Sequence, residues 1–250
     1  MRMTSAREYP SKSRVDKAGS RLRDQAIDPV IFDTAAEELR ESDISVVTAY
    51  RRSYSEPLLK VRMGLGSFKT TIGCADASIT QRTKRYSRIV AKLVRFPSQR
   101  LSQMQDIGGV RVVLDSSVAT DAMVEQIHRN WREQIRRHDD YVADPQPSGY
   151  RGHHIVVNRD GRLIEIQIRS ENQHTWAEGV ESTGRTIGEE LKWGDGPSEI
   201  LDYYTLLGGV VDLADRGVEI PDSVRRRVDA AQDAARKRIL STWRGGESDG

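Results

Sequence analysis

The sequence predicts an α+β domain: a central mixed or antiparallel β-sheet flanked by helices, with helical extensions at both ends. Three observations carry this. Strand-like alternation is concentrated in the middle of the chain, around "GVRVVLD" and "HHIVVNRDGRLIEIQIR". Helical periodicity lies on both sides of it. Asp160-Gly161 separates two alternating arms, which is a strong hairpin signal. The expected division is a helical extension over 1–60, a core over 61–195 and C-terminal helices over 196–250.

The elements follow in order. A helix is expected from Ile27 to about Arg52, with Asp28-Pro29 at its start and a stripe of Val30, Ile31, Ala35 and Leu39. Glu41-Ser42-Asp43 is expected to interrupt it. From Leu58 to Arg85, glycines and β-prone pieces suggest a strand, a loop and the start of a helix. "SRIVAKLVRF" reads as a short helix with Ile89 and Leu93 buried, stopped by Pro97. "GVRVVLD" is a strand. The helix from Ser117 to Ile135 has Ser117 or Thr120 as its cap. His138-Asp139 reads as a charged turn, and the hairpin follows. Helices are then expected over 171–192, 198–215 and 222–243, the first weakened by Gly179 and Gly184.

Composition bounds the class. The 250 residues are 30% charged and 37% hydrophobic, with no apolar run of membrane-spanning length. No secretory signal is visible at the start, and a single cysteine, Cys74, fits a reducing cytoplasm. Net charge is only +2, but basic residues cluster near the start, around "RTKRYSR" and near the end. Arginine predominates in them, which suits bidentate phosphate binding. A solvated helix face explains the two terminal clusters equally well.

The hairpin's second arm raises the functional question. Ile164, Ile166 and Ile168 take one face, so Glu165, Gln167 and Arg169 take the other. Asp106 lies just before the strand "GVRVV". Two carboxylates on neighbouring strands can hold Mg²⁺, which takes one or two carboxylates plus substrate phosphates. Arg82, Lys84, Arg85, Arg88 and Lys92 supply cations upstream, and Arg111 and Arg169 supply them within the strands. Tyr150 follows Gly149 in a loop, where it is free to stack on a base rather than pack in a core. Together these describe a site for phosphoryl transfer between nucleotides.

"RTKRYSRIVAKL", "MQDIGGVRVV", "DDYVADPQPSGYRGHHIVV" and "IEIQIRSENQHTWAE" occur in that order over Arg82 to Glu181. They resemble the successive motifs of the RelA/SpoT synthetase family, the (p)ppGpp alarmone synthetases. "YPSKSRVDKAG" and "QHTWAEGVESTG" look more like its stand-alone small members, some of them toxins of toxin–antitoxin systems. The resemblance implies a nucleotidyltransferase-like fold and transfer of the β,γ-diphosphate of ATP to a ribose 3′-hydroxyl. It implies that Arg82, Lys84, Lys92 and Arg111 hold ATP and that Asp106 and Glu165 bind Mg²⁺. Glu165 would also activate the hydroxyl, and Tyr150 would stack on the acceptor base. Arg151, His154, Gln167, Arg169 and His174 would complete the acceptor side. GDP or GTP is the default acceptor, and the 3′ end of tRNA is the alternative. An antitoxin partner and a homo-oligomer are further options, as is a non-catalytic nucleotide-binding regulator. Gln146 stands where family loops often carry a lysine for acceptor phosphates, and Val180 stands where some synthetases read guanine with an acidic residue. No histidine–aspartate dyad of the family's hydrolase domain is visible.

Overall fold

A computed structural model describes residues 9–28 and 34–245. Five strands form one mixed sheet in the order β1-β2-β5-β4-β3. They are β1 (Ser78–Thr83), β2 (Gly108–Leu114), β3 (Ile135–Asp140), β4 (His153–Arg159) and β5 (Arg162–Ser170). Only the β2–β5 pair is parallel; β1–β2, β5–β4 and β4–β3 are antiparallel. The β4–β5 hairpin turns at Asp160 (φ 51°) and Gly161 (φ 76°), the two left-handed residues of a type I′ turn.

Helices α1 (Lys12–Ile27), α2 (Thr34–Arg52), α3 (Ser55–Thr71) and α5 (Ser117–Trp131) share one core with the lower sheet face. Val110, Val112, Ile155, Val157, Ile164, Ile166 and Ile168 come from the strands. α4 (Tyr86–Arg95) joins the same core through Ile89 and Leu93, and α6 (Glu171–Ile187) partly covers the other side, where its Glu178 meets Arg111. Helices α7 (Ser198–Asp215) and α8 (Asp222–Gly245) close a second, smaller core around Trp176, Val180, Leu191 and Ile200. Among the described residues, no helix is long and apolar enough to cross a membrane.

Several expectations are corrected. Asp28 ends α1 instead of opening the next helix; Pro29, Val30 and Ile31 lie outside the described residues, as does the side chain of Ala35. Leu39 is exposed. Glu41-Ser42-Asp43 does not break α2, because Asp43 turns inward to Arg21. The stretch read as strand pieces begins as helix α3, where Leu58, Val61, Leu65 and Phe68 recur at helical spacing and are buried. Gly64 fits there because Trp131 lies against it; a Cβ would come within 2.4 Å of that ring. Ser116, one residue before the first expected cap, caps α5. His138-Asp139 belongs to edge strand β3, where His138 meets His128 at 3.0 Å and His153 at 3.4 Å. The expected boundary at residue 60 falls within α3.

The basic segment near the start is not merely a solvated face. Val15, Ala18 and Leu22 of α1 are core residues. Arg21 holds buried Asp43 through Nε at 2.7 Å and Nη2 at 2.5 Å. Removing the guanidinium strands a buried carboxylate, whereas removing both partners does not. Solvent reaches Arg21, so Arg21→Ala is expected to cost about 1–3 kcal/mol in urea unfolding. Arg21→Ala/Asp43→Ala should lose less than the sum of the two single variants.

Candidate active site

The strand registers arrange the upper sheet face in rows. Arg82, Gly109, Glu165 and Val156 form one; Thr80, Arg111, Gln167 and His154 form the next. Gly109 places no side chain between Arg82 and Glu165. A ligand can therefore lie against the sheet at that point.

On the β1 side, Lys84 and Lys92 both reach Asp106 Oδ2, at 2.8 and 3.0 Å. The backbone explains the meeting. Lys84 N–H donates to Ile107 O at 2.8 Å, pinning the end of β1 beside the entry to β2, and Lys92 follows on α4. Burial works to raise the Asp106 carboxyl, but the two ammonium groups outweigh it and hold it below the ordinary carboxylate range. Its other oxygen, Oδ1, is buried and has no hydrogen-bond partner. Arg82 is exposed beside this cluster.

On the β4–β5 side, five expected site residues close a hydrogen-bonded ring. Arg169 Nε donates to Tyr150 Oη at 3.0 Å. Arginine has only donors, so the tyrosine proton goes to His154 Nε2, at 2.6 Å. His154 Nδ1 then carries the proton it shares with Glu165 Oε1, at 3.2 Å. The second arm runs from Arg169 Nη2 to Gln167 Oε1 at 3.2 Å, and from Gln167 Nε2 to Glu165 Oε2 at 2.8 Å. Both arms thus point their donors from a guanidinium toward a carboxylate.

Local sequence builds this ring. Glu165, Gln167 and Arg169 share a face by the period of the strand, and His154 pairs with Gln167 across β4. Tyr150 folds back over them through Gly152, at φ 143°. A Cβ there would lie 3.0 Å from Tyr150 Oη and 3.2 Å from Ile168 O. The loop is seated on α7, where Gly208 lets Gly149 O approach.

Tyr150 is therefore not a free loop residue. It is 3% exposed, with Trp176 at 6.0 Å and the Arg169 guanidinium 4.9 Å from its ring centre. Burial pushes its phenol upward, against the pull of Arg169. Other expected residues point elsewhere. Arg151 donates to Val142 O at 2.8 Å and faces Asp212 at 3.5 Å, tying its loop to α7. Arg111 pairs with Glu178 of α6 at 2.8 Å. His174 lies near the same glutamate, its imidazole pKa lowered by burial and by Arg111. Arg88, expected to face phosphate, pairs with Glu190.

Sequence reasoning missed Lys192. It sits on a short 3-10 turn, Leu191–Trp193, after α6. Arg88 and Arg95 of α4 hold this region through Glu190 and Asp195, and Trp193 meets Phe96 edge-on with ring centres 5.9 Å apart. Lys192 has no place in a periodic stripe, and the lone "LKWG" gave no signal of its direction.

The fold has known counterparts. Small alarmone synthetase 1 from Bacillus subtilis superposes with a TM-score of 0.58 at 20% identity, covering 72% of this chain and 96% of that one. The same protein bound to its product pppGpp gives 0.57 at 21% identity, covering 67% and 93%. Residues 81–185 match the family described as "Region found in RelA / SpoT proteins". A GTP pyrophosphokinase from Photobacterium angustum is 32% identical over 166 residues, 61% of this chain and 21% of that protein. A guanosine-3′,5′-bis(diphosphate) 3′-pyrophosphohydrolase from Aquifex aeolicus is 30% identical over 172 residues, 61% of this chain and 24% of that protein. The chain thus spans under a quarter of the length of these two curated relatives.

The ring also sets a pH dependence. Burial works to raise the Glu165 carboxyl; His154, then Gln167 and the charge of Lys192, bring it down to about 2. An unfolded glutamate titrates near 4.5. The stability from its ionised form is therefore fully present above about pH 4.5 and lost as pH falls toward 2. Thermal melts between pH 5 and 2 should show a shallower acid decline in Glu165→Gln than in the wild type.

Proposed function

We propose that this chain is an ATP-dependent pyrophosphokinase that transfers a diphosphate to the ribose 3′-hydroxyl of GDP or GTP, giving (p)ppGpp. The observation that carries this reading is the opposition, across side-chain-free Gly109, of the Arg82–Lys84–Lys92–Asp106 cluster and the Arg169–Glu165 ring. One half supplies cations for triphosphate oxygens. The other supplies a fixed acceptor of hydrogen bonds for a hydroxyl. Phosphoryl transfer depends on such positioning and charge neutralisation more than on covalent chemistry.

A carboxylate held near 2 is a weak base at neutral pH. Glu165 acts here by accepting the hydroxyl's hydrogen bond and orienting its oxygen toward the donor phosphate. Asp106 fits a divalent cation, Mg²⁺ in this reading, through its unpartnered buried Oδ1. Lys84 and Lys92 would turn to phosphate oxygens when the ion takes the carboxylate. Among the described residues, no group of three or more His, Cys, Asp or Glu is arranged to hold a metal, which suits an ion completed by phosphates and water. That ion would neutralise charge on the transferred group.

The test is incubation with γ-³²P-ATP and GDP, GTP, ATP or bulk tRNA, followed by identification of the labelled species. Label in guanosine tetra- or pentaphosphate is expected. Asp106→Asn should lower the rate about 10²-fold or more, with partial rescue by raised Mg²⁺. Wild-type rates in a folded Asp106→Asn variant would refute the assignment.

One observation favours tRNA as a second reading. Lys12, Lys17 and Arg100 line an open groove of about 760 Å³ with Gln103, Gln105 and Leu163. Leu163 shares the strand face of Glu165, and Gln105 adjoins Asp106. The groove, whose wall also carries Asp16, therefore borders chain neighbours of Asp106 and Glu165, and an RNA backbone lying in it would lead its terminal ribose on to them. Lys12→Glu/Lys17→Glu/Arg100→Glu should abolish salt-sensitive labelling of tRNA and spare labelling of GDP. Equal labelling of GDP and no labelling of tRNA, before and after reversal, would leave the nucleotide reading alone.

A further inference from the structure

Lys84 sits at the corner where β1 turns into α4, and the backbone there does little to fix it. The strand ends with Thr83 paired to Gly108 and the Lys84 N–H bonded to Ile107 O at 2.8 Å. The first hydrogen bond into α4 runs from Ile89 N to Arg85 O, at 3.0 Å. The Lys84 carbonyl thus falls between strand and helix and belongs to neither. Arg85, the N-cap residue of α4, makes no side-chain cap bond that would hold the corner instead. A carbonyl in this position needs a donor from elsewhere, both to be satisfied and to keep its peptide in one orientation.

Arg51 supplies that donor. Its Nε lies 2.8 Å from Lys84 O, reaching across from the last turn of α2. The turn itself is firmly seated. Tyr50 and Tyr54 bracket Arg51 there; both are buried, with rings edge-on and hydroxyls 3.0 Å apart. Tyr54 lies against Gly108, where a Cβ would come within 2.7 Å of its ring. Gly108 is the partner of Thr83, the residue before Lys84. The turn that carries Arg51 is therefore packed on the same strand pair whose end Arg51 completes.

We infer that Arg51 is a positioning residue for the donor half of the site: by holding the Lys84 peptide it roots the stem that carries the Lys84 ammonium to a phosphate of ATP. This rests on the proposed reaction for its ligand. The ammonium has to leave Asp106 for a phosphate oxygen, and a flexible stem permits that. Such a swing ends at a defined place only if its root is fixed, and small misplacements of a binding group are costly. A guanidinium suits the task because it keeps its protons at any working pH and holds Nε–H in a rigid plane. Lys84 and Lys92 hold the Asp106 carboxyl below the ordinary range; Arg51 acts on the first of them through the backbone.

Methionine and glutamine both remove the charge of Arg51 and both place an atom where Nε stands, but only glutamine's is a donor. The ligand is α,β-methylene ATP with Mg²⁺ and no acceptor, because its bridge replaces the bond that diphosphate transfer breaks. By calorimetry, Arg51→Met should bind it about tenfold more weakly than the wild type, and Arg51→Gln should keep most of the affinity. Arg51→Met/Lys84→Met should bind no more weakly than Lys84→Met. Arg21→Ala loosens the same pair of helices without touching Lys84, so it should melt earlier and bind as the wild type does. Wild-type affinity in a folded Arg51→Met variant would overturn the inference. So would equal losses in Arg51→Met and Arg51→Gln, or losses at 51 and 84 that multiply, since either makes Arg51 a direct ligand of phosphate. An equal loss in Arg21→Ala, or a wild type that does not bind the analogue, overturns it too. Thermal melts show which variants fold; if Arg51→Met does not, an Arg51→Gln variant as weak as Lys84→Met is the refuting result. If binding follows the expected pattern while the labelling assay yields no transfer, the proposed reaction fails and the role of Arg51 stands.

Discussion

A guanidinium sealed from water has to spend its donors inside the protein, and a buried carboxylate has to collect them. Arg169 and Glu165 meet most of this requirement together, but not by touching, and Arg169 Nη1 alone is left without a partner. Gln167 forms one bridge between them, and Tyr150 with His154 forms the other. Each intermediate group accepts on one side and donates on the other. Losing one therefore leaves two unsatisfied neighbours rather than one. Such networks are worth more than their separate bonds when complete and cost more when broken. The position of the 148–152 loop, the tautomer of His154 and the ionisation of Glu165 all follow from this one closure.

The two halves of the candidate site handle charge differently. Asp106 is met directly by two ammonium groups, which are point charges on flexible stems. They can release it for another cation and swing to phosphates. Glu165 is met by directional donors on rigid rings and a strand, and these cannot leave without opening the ring. The first half is thus suited to exchanging partners during a reaction, and the second to holding an oxygen still. That contrast supports placing the donor triphosphate beside Asp106 and the accepting hydroxyl beside Glu165.

Much of this was legible in the sequence where periodicity and packing agree. The alternation of Ile164, Ile166 and Ile168 with Glu165, Gln167 and Arg169 specifies both faces of β5, and Asp160-Gly161 specifies its turn. β3 was not legible, because "IRRHDD" lacks apolar alternation; an edge strand needs backbone partners from only one side. α3 was obscured by Gly64 and Gly66, which read as loop until Trp131 is seen to require the space at Gly64. The burial of Tyr150 was illegible for another reason. Its partners lie on β4, β5 and α6, and only tertiary folding brings them under the ring.

The same limit explains why Lys192 escaped notice. A residue on a short turn has no periodic face, so its direction is set by what the turn docks against. Here the dock is α4, the helix that also delivers Lys92 to Asp106. One helix face, with Arg88, Lys92 and Arg95 at i, i+4 and i+7, therefore both delivers a cation to Asp106 and supports the turn that bears Lys192. The two half-sites thus share α4 as a mechanical support.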